Sequence, residues 1–168
     1  MTNFSLRIDE EIFEKIKKLA DSENNSVNHV INNLLEKSTI WNIHASSAGW
    51  IPMPKMLLME LIEMYSYEQI ESLARKLGKE IARDILLFTH CKYDVDSWID
   101  FLKIRASIAG FQFSEQRDGK IISFVLHHGM GKKWTVWFKS FYEMVLLDMK
   151  ASVSFEVTEN TLHAKIQK

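Results

Sequence analysis

The chain has 168 residues and a formal net charge of −1, with 46% hydrophobic and 26% charged residues. This balance is typical of a globular protein and excludes a disordered, fibrous or strongly basic chain. The single cysteine, Cys91, cannot form an intramolecular disulfide, and the first residues lack the layout of a signal peptide, which predicts a cytoplasmic protein. The most apolar window, "WIPMPKMLLMELIEM", contains two prolines and three charged residues, so no membrane span is predicted.

A strand followed by two helices is predicted at the N-terminus. Residues 3–8 alternate apolar and polar side chains, as a half-buried strand does. Asp9 stands at the N-cap of a helix expected from Glu10 to Ser22, and Ser26 caps a second helix that ends near Lys37. Both helices carry an apolar stripe at helical spacing: Ile12, Phe13, Ile16, Leu19 and Ala20 in the first, and Val27, Val30, Ile31, Leu34 and Leu35 in the second.

A lone strand before two helices needs a partner for its backbone N–H and C=O groups. The simplest partner is the same strand of a second copy, paired antiparallel, with Phe4, Leu6 and Ile8 facing the helices and the polar side chains facing outward. A segment of about 40 residues also buries too little surface to fold alone. The N-terminal module, residues 1–38, is therefore predicted to form an intertwined homodimer.

This pattern resembles the ribbon-helix-helix DNA-binding family over about residues 3–37, from "FSLRID" through "EEIFEKIKKLA" to "SVNHVINNLLEK". The resemblance implies that the paired strands enter the major groove of double-stranded DNA. It places Asn3, Ser5 and Arg7 on the outward strand face, where they would contact base edges, and Arg7 is the best candidate for specificity.

The same resemblance implies a phosphate contact at the start of the second helix. The hydroxyl of Ser26 and the backbone amides of Val27 and Asn28 occupy that position here. The family commonly has a glycine in the preceding turn, whereas this turn is Glu23-Asn24-Asn25. Asparagine is the residue next best able to adopt the positive φ that glycine adopts, so the turn is still expected to form.

The charge of the N-terminal module departs from that of a typical DNA-binding module. Residues 1–38 contain five basic and seven acidic side chains, which sum to −2 without the N-terminal amine. Neutralisation of phosphates supplies much of the affinity for DNA. We therefore expect weak, salt-sensitive binding unless the charges are segregated on the surface.

Residues 39–50 are interpreted as a linker, and residues 51–168 as an α+β domain. The predicted order is three helices, a hairpin around Asp118-Gly119, a helix, and a second hairpin around Glu159-Asn160. The three helices are expected at Lys55–Tyr65, at Tyr67–Phe88 with a break near Gly78, and from a cap at Asp96 or Ser97 to Ala109; the fourth covers "KKWTVWFKSFYEMVLLDMK". Met53, Met56, Met59 and Met64 are interpreted as core side chains.

No metal or catalytic site is predicted. His127 and His128 are neighbours on a strand and should point to opposite faces, and His90-Cys91 is likewise an adjacent pair. His90, Cys91 and His127 are the least implausible metal ligands. The stretch "HHGMGKKW" lacks the spacing of a phosphate-binding loop and is interpreted as a strand-to-helix turn with Lys132 and Lys133 in solvent. Cys91 has no base nearby in sequence, so the protein is not expected to be an enzyme.

In outline the chain resembles regulators that join a ribbon-helix-helix module to an α+β sensor, and the order of its second half is similar to small-molecule-binding domains of the vinyl-reductase type. The predicted function is a DNA-binding transcription regulator, a homodimer or higher homo-oligomer, whose C-terminal domain senses a small-molecule effector or mediates assembly. The alternative is an oligomeric small-molecule-binding protein that uses the N-terminal module only to dimerise. No cofactor is indicated.

Overall fold

The computed structural model describes residues 5–43, 49–90 and 92–168, without the side chains of residues 40, 41 and 88–90. The chain divides into two compact units, an N-terminal unit, Met1–Ile43, and a C-terminal unit, His44–Lys168. The described residues form helices and one antiparallel sheet of four strands. The predicted α+β class is confirmed.

The N-terminal unit contains two helices, α1 (Glu10–Ser22) and α2 (Val27–Lys37), as predicted, and α2 continues into a π-helical segment, Ser38–Asn42. The helical conformation therefore extends into the segment interpreted as a linker. The strand expected at residues 3–8 is not formed within the chain, because residues 5–9 have no regular secondary structure; Asn3 and Phe4 lie outside the described residues. A strand is defined by hydrogen bonds to a neighbouring strand, and none is paired with this segment in the part of the chain that is described.

The described residues of the C-terminal unit, 49–90 and 92–168, form four helices and two hairpins. The helices are α3 (Lys55–Glu63), α4 (Tyr67–His90), α5 (Val95–Ala109) and α6 (Lys132–Asp148). The strands are β1 (Gln112–Asp118), β2 (Ile121–His127), β3 (Ser152–Val157) and β4 (Thr161–Gln167), in the order β1-β2-β4-β3. Both predicted hairpins are confirmed, and they join through the antiparallel pairing of β2 with β4.

The core of this unit lies on one face of the sheet. Alternate residues of the two central strands are buried: Ile122, Phe124 and Leu126 in β2, and Leu162, Ala164 and Ile166 in β4. Helix α5 packs against β1, and α6 packs against β3 and β4. Trp98 of α5 contacts Phe141 and Tyr142 of α6, so aromatic side chains fill the space between the two helices. The opposite sheet face is mainly polar, as is usual for an antiparallel sheet covered on one side.

Gly78 does not break α4, contrary to the prediction. The helix is continuous from Tyr67 to His90, and Gly78 packs against α6. A Cβ atom at position 78 would lie 3.0 Å from the carbonyl oxygen of Phe141 and 3.1 Å from the Cβ of Met144. The glycine therefore permits a close helix-to-helix approach.

Two further predictions in this unit are corrected. The N-cap of α5 is Asp94, not Asp96 or Ser97: its carboxylate accepts a hydrogen bond from the Ser97 amide at 2.9 Å, which lowers the pKa of Asp94. Asp96 instead binds Arg117 and Lys168. The interpretation of the four methionines in and beside α3 as core was also wrong for three of them, since Met53, Met56 and Met64 are exposed and Met59 is half-buried. None of the described helices is long and apolar enough to cross a membrane.

Candidate nucleic-acid interface

The turn between α1 and α2 is closed by backbone hydrogen bonds. The amide of Asn25 donates to the Ala20 carbonyl oxygen at 2.9 Å, and the amide of Asn24 donates to that of Asp21 at 3.3 Å. Asn24 has a φ of 52°. This is the Schellman arrangement of a helix C-terminus, with asparagine in the left-handed position that glycine usually takes. The expectation that asparagine would replace the missing glycine is confirmed.

Ser26 begins α2 as predicted. Its hydroxyl oxygen accepts a hydrogen bond from the His29 amide at 3.2 Å, and the first intrahelical bond runs from the Val30 amide to the Ser26 carbonyl oxygen. Because the hydroxyl acts as acceptor in this cap, its proton is available to a ligand. The amides of Val27 and Asn28 lie in the first turn, where no carbonyl four residues earlier belongs to the helix. Ser26 and Asn28 are exposed.

The segment before α1 presents the other predicted contacts to solvent. Ser5 and Arg7 are exposed, and Ile8 is half-buried. The segment ends at Asp9, which is the N-cap of α1: its carboxylate accepts a hydrogen bond from the Glu11 amide at 3.0 Å. Asn3 lies outside the described residues. The structure thus brings Ser26, Val27 and Asn28 together at one helix end, and leaves Ser5 and Arg7 accessible on the preceding segment.

The N-terminal unit leaves much of its apolar surface uncovered. Among the described residues, Ala20 of α1 and Val30 of α2 are its buried apolar side chains. The exposed large apolar residues are Leu6, Ile12, Phe13, Leu19, Leu34, Leu35 and Ile43. Sequence periodicity identified most of these positions as a stripe, but it could not show that one copy of the chain leaves the stripe in solvent.

His29 was not among the predicted contacts. It is exposed in the first turn of α2, and its Nε2 lies 3.1 Å from the Asn33 side-chain nitrogen. The sequence does show that His29 lies three residues after Ser26, the position whose backbone amide binds the side chain of a helix N-cap. The imidazole is thus directed along the helix toward Asn33, and the His29 backbone amide is the group that contacts the Ser26 hydroxyl.

His127 and His128 point to opposite sides, as predicted, with His127 exposed and His128 only 1% exposed. The Thr135 hydroxyl donates its one proton to the Glu159 carbonyl oxygen at 2.8 Å, so it accepts a hydrogen bond from His128 Nε2 at 2.9 Å. His128 Nδ1 accepts from the Met130 amide at 3.0 Å. The ring is therefore neutral, and burial lowers the pKa of His128 to about 4. This histidine is a structural side chain.

The loop from β2 to α6 is a strand-to-helix turn, as predicted. Gly129 and Gly131 adopt positive φ values of 59° and 87°, which accounts for both glycines without a bound phosphate. Lys133 is not in solvent, contrary to the prediction: its side chain is 17% exposed, and Nζ donates to the Glu63 carbonyl oxygen at 2.7 Å. Lys55 Nζ likewise donates to the His128 carbonyl oxygen at 2.9 Å.

No metal-binding cluster of three or more histidine, cysteine or acidic side chains occurs among the described residues. His127 Nδ1 lies 2.9 Å from the hydroxyl of Thr161. Of the other two candidate ligands, Cys91 and the side chain of His90 lie outside the described part of the chain. We therefore assign no residue of the C-terminal unit to the binding of a metal or small-molecule effector.

Comparison of the chain with protein-family models and with curated proteins found no match.

Proposed function

We propose that the protein is a cytoplasmic, homodimeric, sequence-specific DNA-binding regulator of the ribbon-helix-helix type. In this proposal the segment before α1 pairs with its copy as an antiparallel ribbon that lies in the major groove. The N-terminal ends of the two α2 helices contact phosphates on either side. The C-terminal unit senses a small molecule or supports assembly.

The observation that carries the proposal is the exposed apolar stripe of the N-terminal unit, which follows the predicted helical spacing. Exposed apolar residues of α1 and α2, such as Ile12, Phe13, Leu34 and Leu35, are too many for a stable two-helix monomer of this size. A second copy would cover them and would also give the segment before α1 a partner with which to form a strand. The same act of association therefore explains the apolar surface and the unpaired segment.

The capped start of α2 supports a phosphate contact. The Ser26 hydroxyl and the first-turn amides of Val27 and Asn28 lie at the same helix end, where the helix dipole favours an anion. The charge of −2 on residues 1–38 opposes this attraction. We therefore expect affinity to depend strongly on salt, and base contacts to carry more of the selectivity than charge does.

The test is selection from genomic fragments, followed by binding to the selected site across a salt series. Replacing Arg7 with Ala should reduce discrimination against single-base changes by about 1–3 kcal/mol at the contacted position, because a bidentate guanine contact is lost. The Arg7→Ala protein should stay dimeric. A Lys15→Ala variant is the matched control, since Lys15 is an exposed cation paired with Glu11 at 2.6 Å. Unaltered discrimination in Arg7→Ala would remove Arg7 from the proposed role.

The alternative is an oligomeric small-molecule-binding protein that uses the N-terminal unit only to dimerise. The acidic charge of that unit favours this alternative. A dimer that selects no fragment, and whose weak DNA binding is equal for all sequences, would support it over the regulator.

A further inference from the structure

Strand β3 lies at one edge of the sheet that the described residues form. Its register with β4 continues into the next turn, where the Thr158 amide donates to the Thr161 carbonyl oxygen at 2.9 Å. Pairs that exchange hydrogen bonds alternate with pairs that do not along an antiparallel ladder. The backbone N–H and C=O groups of Val153, Phe155 and Val157 therefore point away from β4, toward the edge.

We call Val153, Phe155 and Val157 the β3 edge. Their side chains lie on the sheet face that the helices cover, where Val153 and Phe155 are half-buried and Val157 is 48% exposed. No hydrogen bond within the described part of the chain reaches their outward backbone groups. An edge strand with apolar side chains and free N–H and C=O groups can pair with a further strand.

The other edge of the sheet, β1, is protected from such pairing. The Lys168 amide donates to the Lys120 carbonyl oxygen at 3.1 Å, in register with the pairing of β2 and β4. Carried across β2 by the same alternation, this bond gives the outward position in β1 to Phe113, Glu115 and Arg117. Two of these three side chains are charged, and Arg117 Nε lies 3.2 Å from Glu115 Oε1. Charged side chains at such positions prevent the addition of a strand.

We propose that the β3 edge pairs antiparallel with the β3 edge of a second copy of this chain, about a twofold axis at Phe155. In this register Phe155 of one copy lies opposite Phe155 of the other, and Val153 lies opposite Val157. All three outward N–H groups of each strand then donate to carbonyl oxygens of the other strand. The contact is isologous and joins the two sheets into one.

The occupant is a second copy because the β3 edge is complementary to itself. Apolar side chains lie opposite apolar side chains on the covered face, and Ser154 lies opposite Glu156 on the other face, so no like charges are opposed. The β1 edge lacks this property, since pairing about Glu115 would place two carboxylates directly opposite each other. A contact of β3 with β1 of another copy would set charges against apolar side chains and would repeat without closing.

This inference uses contacts of the C-terminal unit alone, so it does not rest on the proposed binding of DNA. It gives a surface to the assembly role considered for that unit. Any other strand on the β3 edge would exclude the second copy, so the presence of a covalent link between two copies decides the occupant.

Disulfide formation in the full-length protein tests the register. In a Cys91→Ser background, Ser154→Cys combined with Glu156→Cys places each thiol opposite a thiol of the other copy, at a Cα separation of about 4.5 Å that a disulfide spans. The matched control is Ser114→Cys with Gln116→Cys, the corresponding exposed positions of β1. Mild oxidation should convert most of the β3 variant, and little of the β1 variant, to covalent dimers. Absence of dimers, or equal yields from the two edges, would overturn the proposal.

Replacement of Val157 tests the backbone hydrogen bonds. Val157→Pro, added to the β3 cysteine variant, removes an outward N–H and leaves the ladder with β4 intact, because proline is tolerated where the N–H of an edge strand faces solvent. Two hydrogen bonds are lost per dimer, so the yield of covalent dimer should fall roughly ten-fold or more. Val157→Ala keeps the N–H and should reduce the yield less. Undiminished linking in Val157→Pro, with unchanged circular dichroism, would contradict the proposal.

Selection from genomic fragments separates this inference from the proposed function. The β3 edge contains no residue of the N-terminal unit, so the two results are read independently. If the wild type selects a DNA site and the β3 cysteine variant forms no covalent dimer, only the pairing of β3 is refuted. If covalent dimers form and no site is selected, the pairing of β3 is supported and only the regulator is refuted.

Discussion

Acidification from pH 7 to pH 4 should destabilise the C-terminal unit through one buried side chain, His128. Its ring is neutral and hydrogen-bonded at both nitrogens in the folded protein, and burial lowers its pKa from 6.5 to about 4. Below pH 6.5 the unfolded chain takes up a proton that the folded chain does not, so the free energy of unfolding falls as the pH falls. The loss levels off below about pH 4, where His128 of the folded chain becomes protonated as well.

The expected size follows from the two pKa values. A difference of about 2.5 between them corresponds to about 3 kcal/mol at pH 4, because one pKa unit is about 1.4 kcal/mol. The side chain is only 1% exposed, so solvent screening should reduce this value little. The figure is a large share of the stability of an ordinary domain.

Urea unfolding followed by tryptophan fluorescence measures this effect, since Trp50, Trp98, Trp134 and Trp137 all lie in the C-terminal unit. The variant His128→Phe should be less stable at pH 7, because the Met130 amide loses its acceptor, but it should lose about 3 kcal/mol less than the wild type between pH 7 and pH 4. His127→Gln is the control and should keep most of the pH dependence. Parallel pH profiles for His128→Phe and the wild type would refute the assignment of a buried neutral ring.

Two further predictions concern the packing and capping of helices in the C-terminal unit. Gly78→Ala should reduce the free energy of unfolding by about 1–3 kcal/mol, since the new Cβ would lie 3.0 Å from the Phe141 carbonyl oxygen. Within a helix this change usually increases stability. An increase here would show that α4 and α6 can separate at no cost. Asp94→Ala should cost about 1 kcal/mol by removing the cap of α5, whereas Asp96→Ala removes half-exposed ion pairs and should cost less. Urea unfolding of both variants compares them, and a larger loss for Asp96→Ala would contradict the assigned cap.

Local signals in the sequence were sufficient for most elements. The caps at Asp9 and Ser26, the Asn24 turn and both hairpins were predicted correctly, because each depends on residues within a few positions of one another. The choice of Asp96 or Ser97 as the cap of α5 was wrong by two or three positions, since several nearby side chains can serve and only their geometry selects Asp94.

The spacing of apolar residues predicts an apolar face but does not show what covers it. Only the tertiary structure shows which of these residues are buried. An apolar stripe does not show whether the residues that cover it lie in the same chain, so the methionines in and beside α3 were assigned to the core although Met56 and Met64 are exposed. By local propensity Gly78 predicts a break in the helix. In the fold it is needed because α6, whose Phe141 lies 63 residues further along the chain, leaves no room for a side chain at position 78. Sequence by itself determined the elements and their caps, because those depend on local backbone chemistry; contacts between distant residues determined the packing, because they depend on the whole fold.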